Sequence, residues 1–154
     1  MKIGIVGGSI AGCSAAILLS KEGHDVMVYE RSNKALVGRG GGIGTIPSLM
    51  MEISQAGMIG DNFSSFRIGK LPFIGKHPDA EPFGKRAGAI DMNFEVFQWN
   101  ELWNHLRSNV PDHSYQKGVK VTSARLTEEN LVELFFDQSP SQLFDLVLFA
   151  DGYN

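Results

Sequence analysis

The feature that most constrains this chain lies near its start, where it reads Gly7-Gly8-Ser9-Ile10-Ala11-Gly12. The run before it, Lys2-Ile3-Gly4-Ile5-Val6, is short and apolar and predicts a buried strand. Residues 11–22, rich in Ala, Ile and Leu, predict a helix that stops at Gly23, a residue suited to the left-handed position that ends a helix. Asp25-Val26-Met27-Val28-Tyr29-Glu30 predicts a second buried strand. Strand, helix and strand within about 30 residues make a βαβ unit, with parallel strands and a right-handed crossover.

A glycine-rich turn at this place has a chemical use. Gly7 permits the tight turn off the strand, and Gly12 lets helix and strand pack closely. The helix N-terminus then presents free N–H groups and the positive end of its dipole, a combination suited to a pyrophosphate. Gly8, Ser9, Ile10 and Ala11 supply the backbone between. Glu30 closes the second strand, where its carboxylate can accept hydrogen bonds from ribose hydroxyls. A carboxylate there favours a free 2′-hydroxyl, so the loop is expected to hold FAD or NAD and not NADP. Ser9 stands where the motif usually has its middle glycine; it is small, and its hydroxyl can itself reach a phosphate.

Composition narrows the rest. Of 154 residues 18 are glycine, 12 of them within the first 60, which places the unusual backbone in the opening third. A hydrophobic share of 43% and a net charge of −3 exclude a disordered chain. The single cysteine excludes a disulfide framework, and the histidines show no metal-ligand spacing, so no metal is expected. A pI near 5.8 argues against nucleic acid as a partner. No apolar run is long enough to span a membrane. Ile10-Ala11-Gly12-Cys13 imitates a lipoprotein cleavage box, but the apolar Ala15–Leu19 stretch that follows argues against export, so the expected location is cytoplasmic. Cys13 itself reads as a small buried packing residue.

Beyond the βαβ unit, residues 31–46 read as a loop holding the second glycine cluster, 38–44. A helix is expected from Pro47 to about Gly57. Residues 64–97 read as irregular with short strands, punctuated by Pro72, Pro78 and Pro82. The spacing of Trp99, Leu102, Trp103 and Leu106 predicts an amphipathic helix over 99–109, with both tryptophans expected in the core in preference to framing a ring-binding pocket. Two antiparallel strands are expected at 118–126 and 130–137, and a last parallel strand at 144–150. The whole reads as one α/β domain, 1–154.

Three segments together carry a family resemblance: Ile5-Val6-Gly7-Gly8-Ser9-Ile10-Ala11-Gly12; Tyr29-Glu30-Arg31 with Arg39-Gly40-Gly41-Gly42-Ile43-Gly44 and Pro47; and Phe149-Ala150-Asp151-Gly152. The chain resembles the N-terminal half of a single-component flavin-dependent aromatic monooxygenase of the para-hydroxybenzoate hydroxylase-like group, in particular its 2,6-dihydroxypyridine hydroxylase-type branch. The resemblance implies a Rossmann-like FAD/NAD(P)-binding fold of the glutathione-reductase type with a short antiparallel β insert. It implies FAD as cofactor, with its pyrophosphate on Gly7–Gly12 and its adenosine ribose on Glu30, beside Arg31. Arg39 and the backbone near Gly44 would approach the flavin, Val121 the adenine, and Asp151 would support the cofactor. Gln98 would be a polar contact before the helix.

The resemblance further implies NADH or NADPH as electron donor, O2 as co-substrate, and hydroxylation of an aromatic or heteroaromatic ring through a flavin hydroperoxide. It allows a homodimer for the full-length protein. The family's Asp-Gly motif continues to a Ser and an Arg, and this sequence ends at Asn154 before either. The expectation is therefore an incomplete enzyme, without the substrate-domain sheet and inactive alone, and no catalytic residue is assigned. Two alternatives stay open: another FAD- or NAD-dependent oxidoreductase on this fold (dehydrogenase, epoxidase, halogenase or reductase), and a non-catalytic nucleotide-binding remnant.

Overall fold

The computed structural model describes residues 1–36, 38, 40–76 and 84–152. Its centre is a parallel sheet in the order β10-β1-β2-β6, built from β1 (Lys2–Val6), β2 (Asp25–Glu30), β6 (Tyr115–Lys117) and β10 (Leu146–Phe149). β1 lies between β2 and β10, with Ile5 level with Val28 on one side and Leu148 on the other. Ile3 and Ile5 have no exposed surface on one face and Val6 is buried on the other, as expected of a strand covered on both faces.

The helix α1 (Ile10–Lys21) connects β1 to β2 and buries Gly12, Cys13, Ala16 and Ile17, a face repeating at the helical three-to-four spacing. It ends at Glu22 and Gly23, the latter at φ +81°, a conformation that glycine adopts without steric cost. Beside α1 packs α3 (Trp99–Ser108), which buries Leu102, Trp103 and Leu106. These helices and one face of the sheet share a core that includes Ile3, Ile5, Ile17, Val28, Leu106 and Tyr115. The other face is covered by an antiparallel sheet, β7 (Val121–Leu126), β8 (Val132–Phe136) and β9 (Gln142–Phe144), through Val6, Tyr29, Leu134 and Phe144. The Tyr29 ring lies 4.7 Å from that of Phe136 and 6.1 Å from that of Phe144. Helices, parallel sheet and antiparallel sheet thus form three layers, the α/β architecture expected. Among the described residues no helix is long and apolar enough to cross a membrane.

The segment 64–97 differs from expectation. It holds two long antiparallel strands, β4 (Phe66–Gly75) and β5 (Lys85–Gln98), in place of an irregular stretch with short strands. Pro72 does not break β4 because β4 is an edge strand, which tolerates a residue without an N–H. Register shifts between Ile68 and Lys70 and between Phe73 and Ile74 further hide the pattern. Pro78 and Pro82 lie outside the described residues. The second glycine cluster is also not wholly a loop: β3 (Gly42–Thr45) pairs with β5, placing Gly44 opposite Val96. Between β3 and β4, α2 (Pro47–Gln55) opens with proline in its first turn.

Burial of titratable groups makes this fold sensitive to alkali. Burial pushes the Cys13 thiol from 9.0 to about 12 and the Tyr29 phenol from 10.0 to about 12. Unfolding frees both groups to ionise at their ordinary values, so above pH 9 the unfolded chain binds fewer protons than the native one and stability falls with pH. The melting temperature is expected to hold level to about pH 9 and then fall steadily to about pH 12; a level profile through that range would contradict these burials. For the same reason Cys13 is expected to resist a thiol reagent in native protein and to react once denaturant is added.

Candidate functional site

The β1–α1 turn is held by close contacts. Gly7 has φ +102°, and a Cβ on it would lie 2.5 Å from the Ala150 carbonyl oxygen at the end of β10. Its N–H donates to the Tyr29 carbonyl at 2.8 Å. A Cβ on Gly12 would run into the Gly7 carbonyl oxygen, so only glycine lets α1 approach the turn this closely. A Cβ on Gly8 would collide with the Tyr115 hydroxyl. Ser9 begins α1 in extended conformation and makes no side-chain cap, and the first helical turn contains no acidic residue. Among the described residues, the positive helix end therefore has neither a side-chain cap nor a first-turn carboxylate.

Glu30 is buried at the end of β2. Its Oε2 accepts the Gly8 N–H at 2.9 Å and its Oε1 accepts the Ser32 N–H at 2.8 Å. One backbone donor on each oxygen fixes the carboxylate and leaves lone pairs for further donors. The Gly8 carbonyl oxygen, in turn, accepts from Trp103 Nε1 at 3.0 Å, the Tyr115 hydroxyl at 3.0 Å and the Cys13 thiol at 3.3 Å. Burial pushes the Tyr115 phenol well above its ordinary value, so both it and the Cys13 thiol keep the protons they donate. The Arg107 guanidinium lies over the Tyr115 ring at 4.1 Å.

Beside this turn, at the carboxyl ends of β1, β2 and β10, opens a cleft of about 350 Å³, a size that suits a small-molecule site. Gly7, Ser9, Ala11, Glu30, Arg31, Val121 and Asp151, all expected from sequence as cofactor contacts, line it together. Gly8 and Gly12 lie behind the wall and shape it. Three expected residues stand apart. Ile10 and Gly44 line a separate apolar cavity of about 310 Å³ with Leu102 and Leu106, and Gln98 lines a groove beside Phe97 and Glu101. Gly44 is held away because β3 ties it to β5, and Gln98 because it ends β5 on the same sheet. Arg39 lies outside the described residues.

The cleft also includes residues that sequence reasoning missed. Lys120 adds a cation one position before Val121. Trp99, expected in the core, lines the cleft and stacks on Trp103 with rings 6.2 Å apart and 6° from parallel. Only Trp103 is buried. The signal for Trp99 was its place as the first residue of its helix, where the apolar stripe runs past the core edge. Tyr115 gave no signal, because β6 is only three residues long.

Comparison with known proteins agrees with this geometry. The family model of the NAD(P)-binding Rossmann-like domain matches residues 5–43, which hold the last two residues of β1, all of α1 and β2, and the start of β3. Over 151 residues the chain is 27% identical to 2,6-dihydroxypyridine 3-monooxygenase of Paenarthrobacter nicotinovorans, covering 98% of this chain and 36% of that protein. The solved structure of 2,6-dihydroxypyridine-3-hydroxylase from Arthrobacter nicotinovorans superposes with a TM-score of 0.77 at 25% identity, over 95% of this chain and 35% of that one. Klebsiella pneumoniae HpxO, solved with FAD and uric acid, matches with a TM-score of 0.72 at 22% identity, over 96% of this chain and 38% of that one. The chain thus spans little more than a third of the length of these relatives. It is homologous to that share of 2,6-dihydroxypyridine 3-monooxygenase and has the Rossmann-like α/β fold of the FAD monooxygenases.

Proposed function

We propose that this chain is the FAD-holding part of a flavoprotein monooxygenase acting on aromatic or heteroaromatic rings, and that its cleft takes the ADP half of the cofactor. The observation that carries this reading is the meeting, in one cleft, of an uncapped helix N-terminus and a backbone-fixed carboxylate, Glu30. The first suits a pyrophosphate and the second a ribose diol. Arg31 and Lys120 add positive charge on the cleft wall, Val121 offers backbone and apolar surface to a base, and Asp151 closes the β10 side. The uncapped helix end, with no acidic residue in its first turn, and the lone pairs that Glu30 keeps free match a diphosphate and a ribose diol, so the residues present fit the group.

FAD, when bound, supplies the redox chemistry, with NADH or NADPH as donor and O2 as co-substrate. This chain's own part is to bind and orient. The turn at Gly7–Gly12 fixes the diphosphate, and Glu30 fixes the ribose and disfavours a 2′-phosphate. The residues that would hold the substrate ring and shield it from water belong to the length that the relatives have and this chain does not. In the whole protein we place the activity in the cytoplasm, with no nucleic acid or membrane as partner, and the resemblance allows a homodimer.

A second reading, NAD held by the same turn in a dehydrogenase, is favoured by the family model matched over residues 5–43. Against it, β2 leads to the antiparallel β3–β5–β4 sheet and not to a second βαβ unit. Titration with FAD and with NAD separates the two. The chain has two tryptophans, one in the cleft and stacked on the other, so cofactor binding is expected to quench its intrinsic fluorescence. Quenching by FAD at lower concentration than by NAD supports the monooxygenase reading; the reverse order supports the dehydrogenase. Glu30→Gln is expected to weaken ADP binding by about tenfold, the worth of a hydrogen bond to a charged group, and to reduce the preference for ADP over adenosine 2′,5′-bisphosphate. Gly8→Ala is expected to cost about 2 kcal/mol of stability through its clash with Tyr115, visible as a lowered denaturation midpoint.

A further inference from the structure

The Gly8 carbonyl oxygen accepts from three side chains on three elements: Cys13 in the first turn of α1, Trp103 in α3 and Tyr115 at the start of β6. A carbonyl with two lone pairs is fully satisfied by the two stronger donors alone. All three donors are buried, so this oxygen is held toward the core. Its peptide unit also contains the Ser9 N–H. No described peptide bond is cis, and in a trans peptide the C=O and N–H point in opposite directions. Drawing the Gly8 oxygen inward therefore turns the Ser9 N–H outward, on the side where Ser9 lines the cleft. Among the described residues, no oxygen accepts that N–H.

The neighbouring peptide is fixed as well, because the Gly8 N–H donates to Glu30. Arg107 keeps the Tyr115 ring in place from its other side: it lies over the ring while donating to the Val110 carbonyl at 2.7 Å and to Asp112 at 2.7 Å.

We propose that Trp103 and Tyr115 are positioning residues that aim the Ser9 N–H at the anionic group of the bound nucleotide, acting through the Gly8 carbonyl. They touch no ligand themselves. The proposal rests on the reading of the cleft as a nucleotide site. It also accounts for glycine at position 8: a side chain there would displace the Tyr115 hydroxyl from the oxygen it holds. The Ser9 side chain is not required for this function, since the aimed group is backbone.

The test compares ADP with adenosine by calorimetry, in the wild-type chain and in Tyr115→Phe and Trp103→Phe. The affinity ratio of ADP to adenosine isolates the phosphate contribution. Both variants are expected to lower that ratio, by about tenfold when combined, while adenosine affinity and the far-ultraviolet circular dichroism stay unchanged. Equal losses for the two ligands, or an unchanged ratio, would overturn the proposal. Amide hydrogen exchange gives a second measurement that needs no variant: ADP, but not adenosine, is expected to slow exchange at Ser9. An unaltered Ser9 rate with ADP bound would equally overturn it. Wild-type protein that binds neither ligand would remove the nucleotide reading and this proposal with it, whereas binding with unaltered ratios removes the proposal alone.

Discussion

The approach of α1 to the end of β1, with no room for a Cβ at Gly12 beside the Gly7 carbonyl, sets the position of most other parts. It fixes where the helix axis begins and hence where the positive end of its dipole lies. It brings Cys13 down onto Gly8, and it lets Ile17 reach the sheet core. A helix displaced outward by even one methyl group would break the contacts with α3 and open the turn, because packed interiors absorb such changes poorly.

Polar groups near the turn are paired in a way that separates structural from chemical duty. The Gly8 peptide groups face inward and are satisfied by Trp103, Tyr115, Cys13 and Glu30. The Glu30 carboxylate spends one lone pair per oxygen on backbone and keeps the rest. Each inward hydrogen bond lies in a water-poor region, where leaving a partner unpaired is expensive, so the turn has few alternative conformations. Rigidity of this kind reduces the ordering a ligand must impose on binding.

The βαβ unit was legible because each of its signals is local. Apolar runs mark β1, which ends at Gly7, and β2, which follows Gly23, and the Ala- and Leu-rich stretch between them has helical spacing and a glycine stop. Glu30 falls at the strand end where its side chain must meet the turn. What was not legible depends on partners distant in sequence. β4 and β5 support each other across a long pairing that Pro72 and two register shifts disguise. β6 and β9, three residues each, have no periodicity to detect. Gly42 and Gly44 resemble loop glycines until β5 is there to pair with them. Trp99 and Trp103 are chemically identical in sequence, and only the edge of α3 decides that one faces the cleft. Of the expected contacts, Gly7, Ser9, Ala11, Glu30, Arg31, Val121 and Asp151 line one cleft, while Ile10, Gly44 and Gln98 lie apart from it.

The pairing of β10 with β1 joins opposite ends of the sequence: the Lys2 N–H meets the Asp145 carboxylate across 143 positions, and Val6 lies level with Phe149. Contacts of such separation close late in folding, because the intervening chain must first surrender its freedom. During synthesis, β1 and α1 emerge first yet lack their neighbour until β10 has left the ribosome. The turn at Gly7, which leans on Ala150, is therefore finished last although it is made first. Nascent chains would present a complete glycine motif in sequence but no finished cleft until β10 has paired with β1.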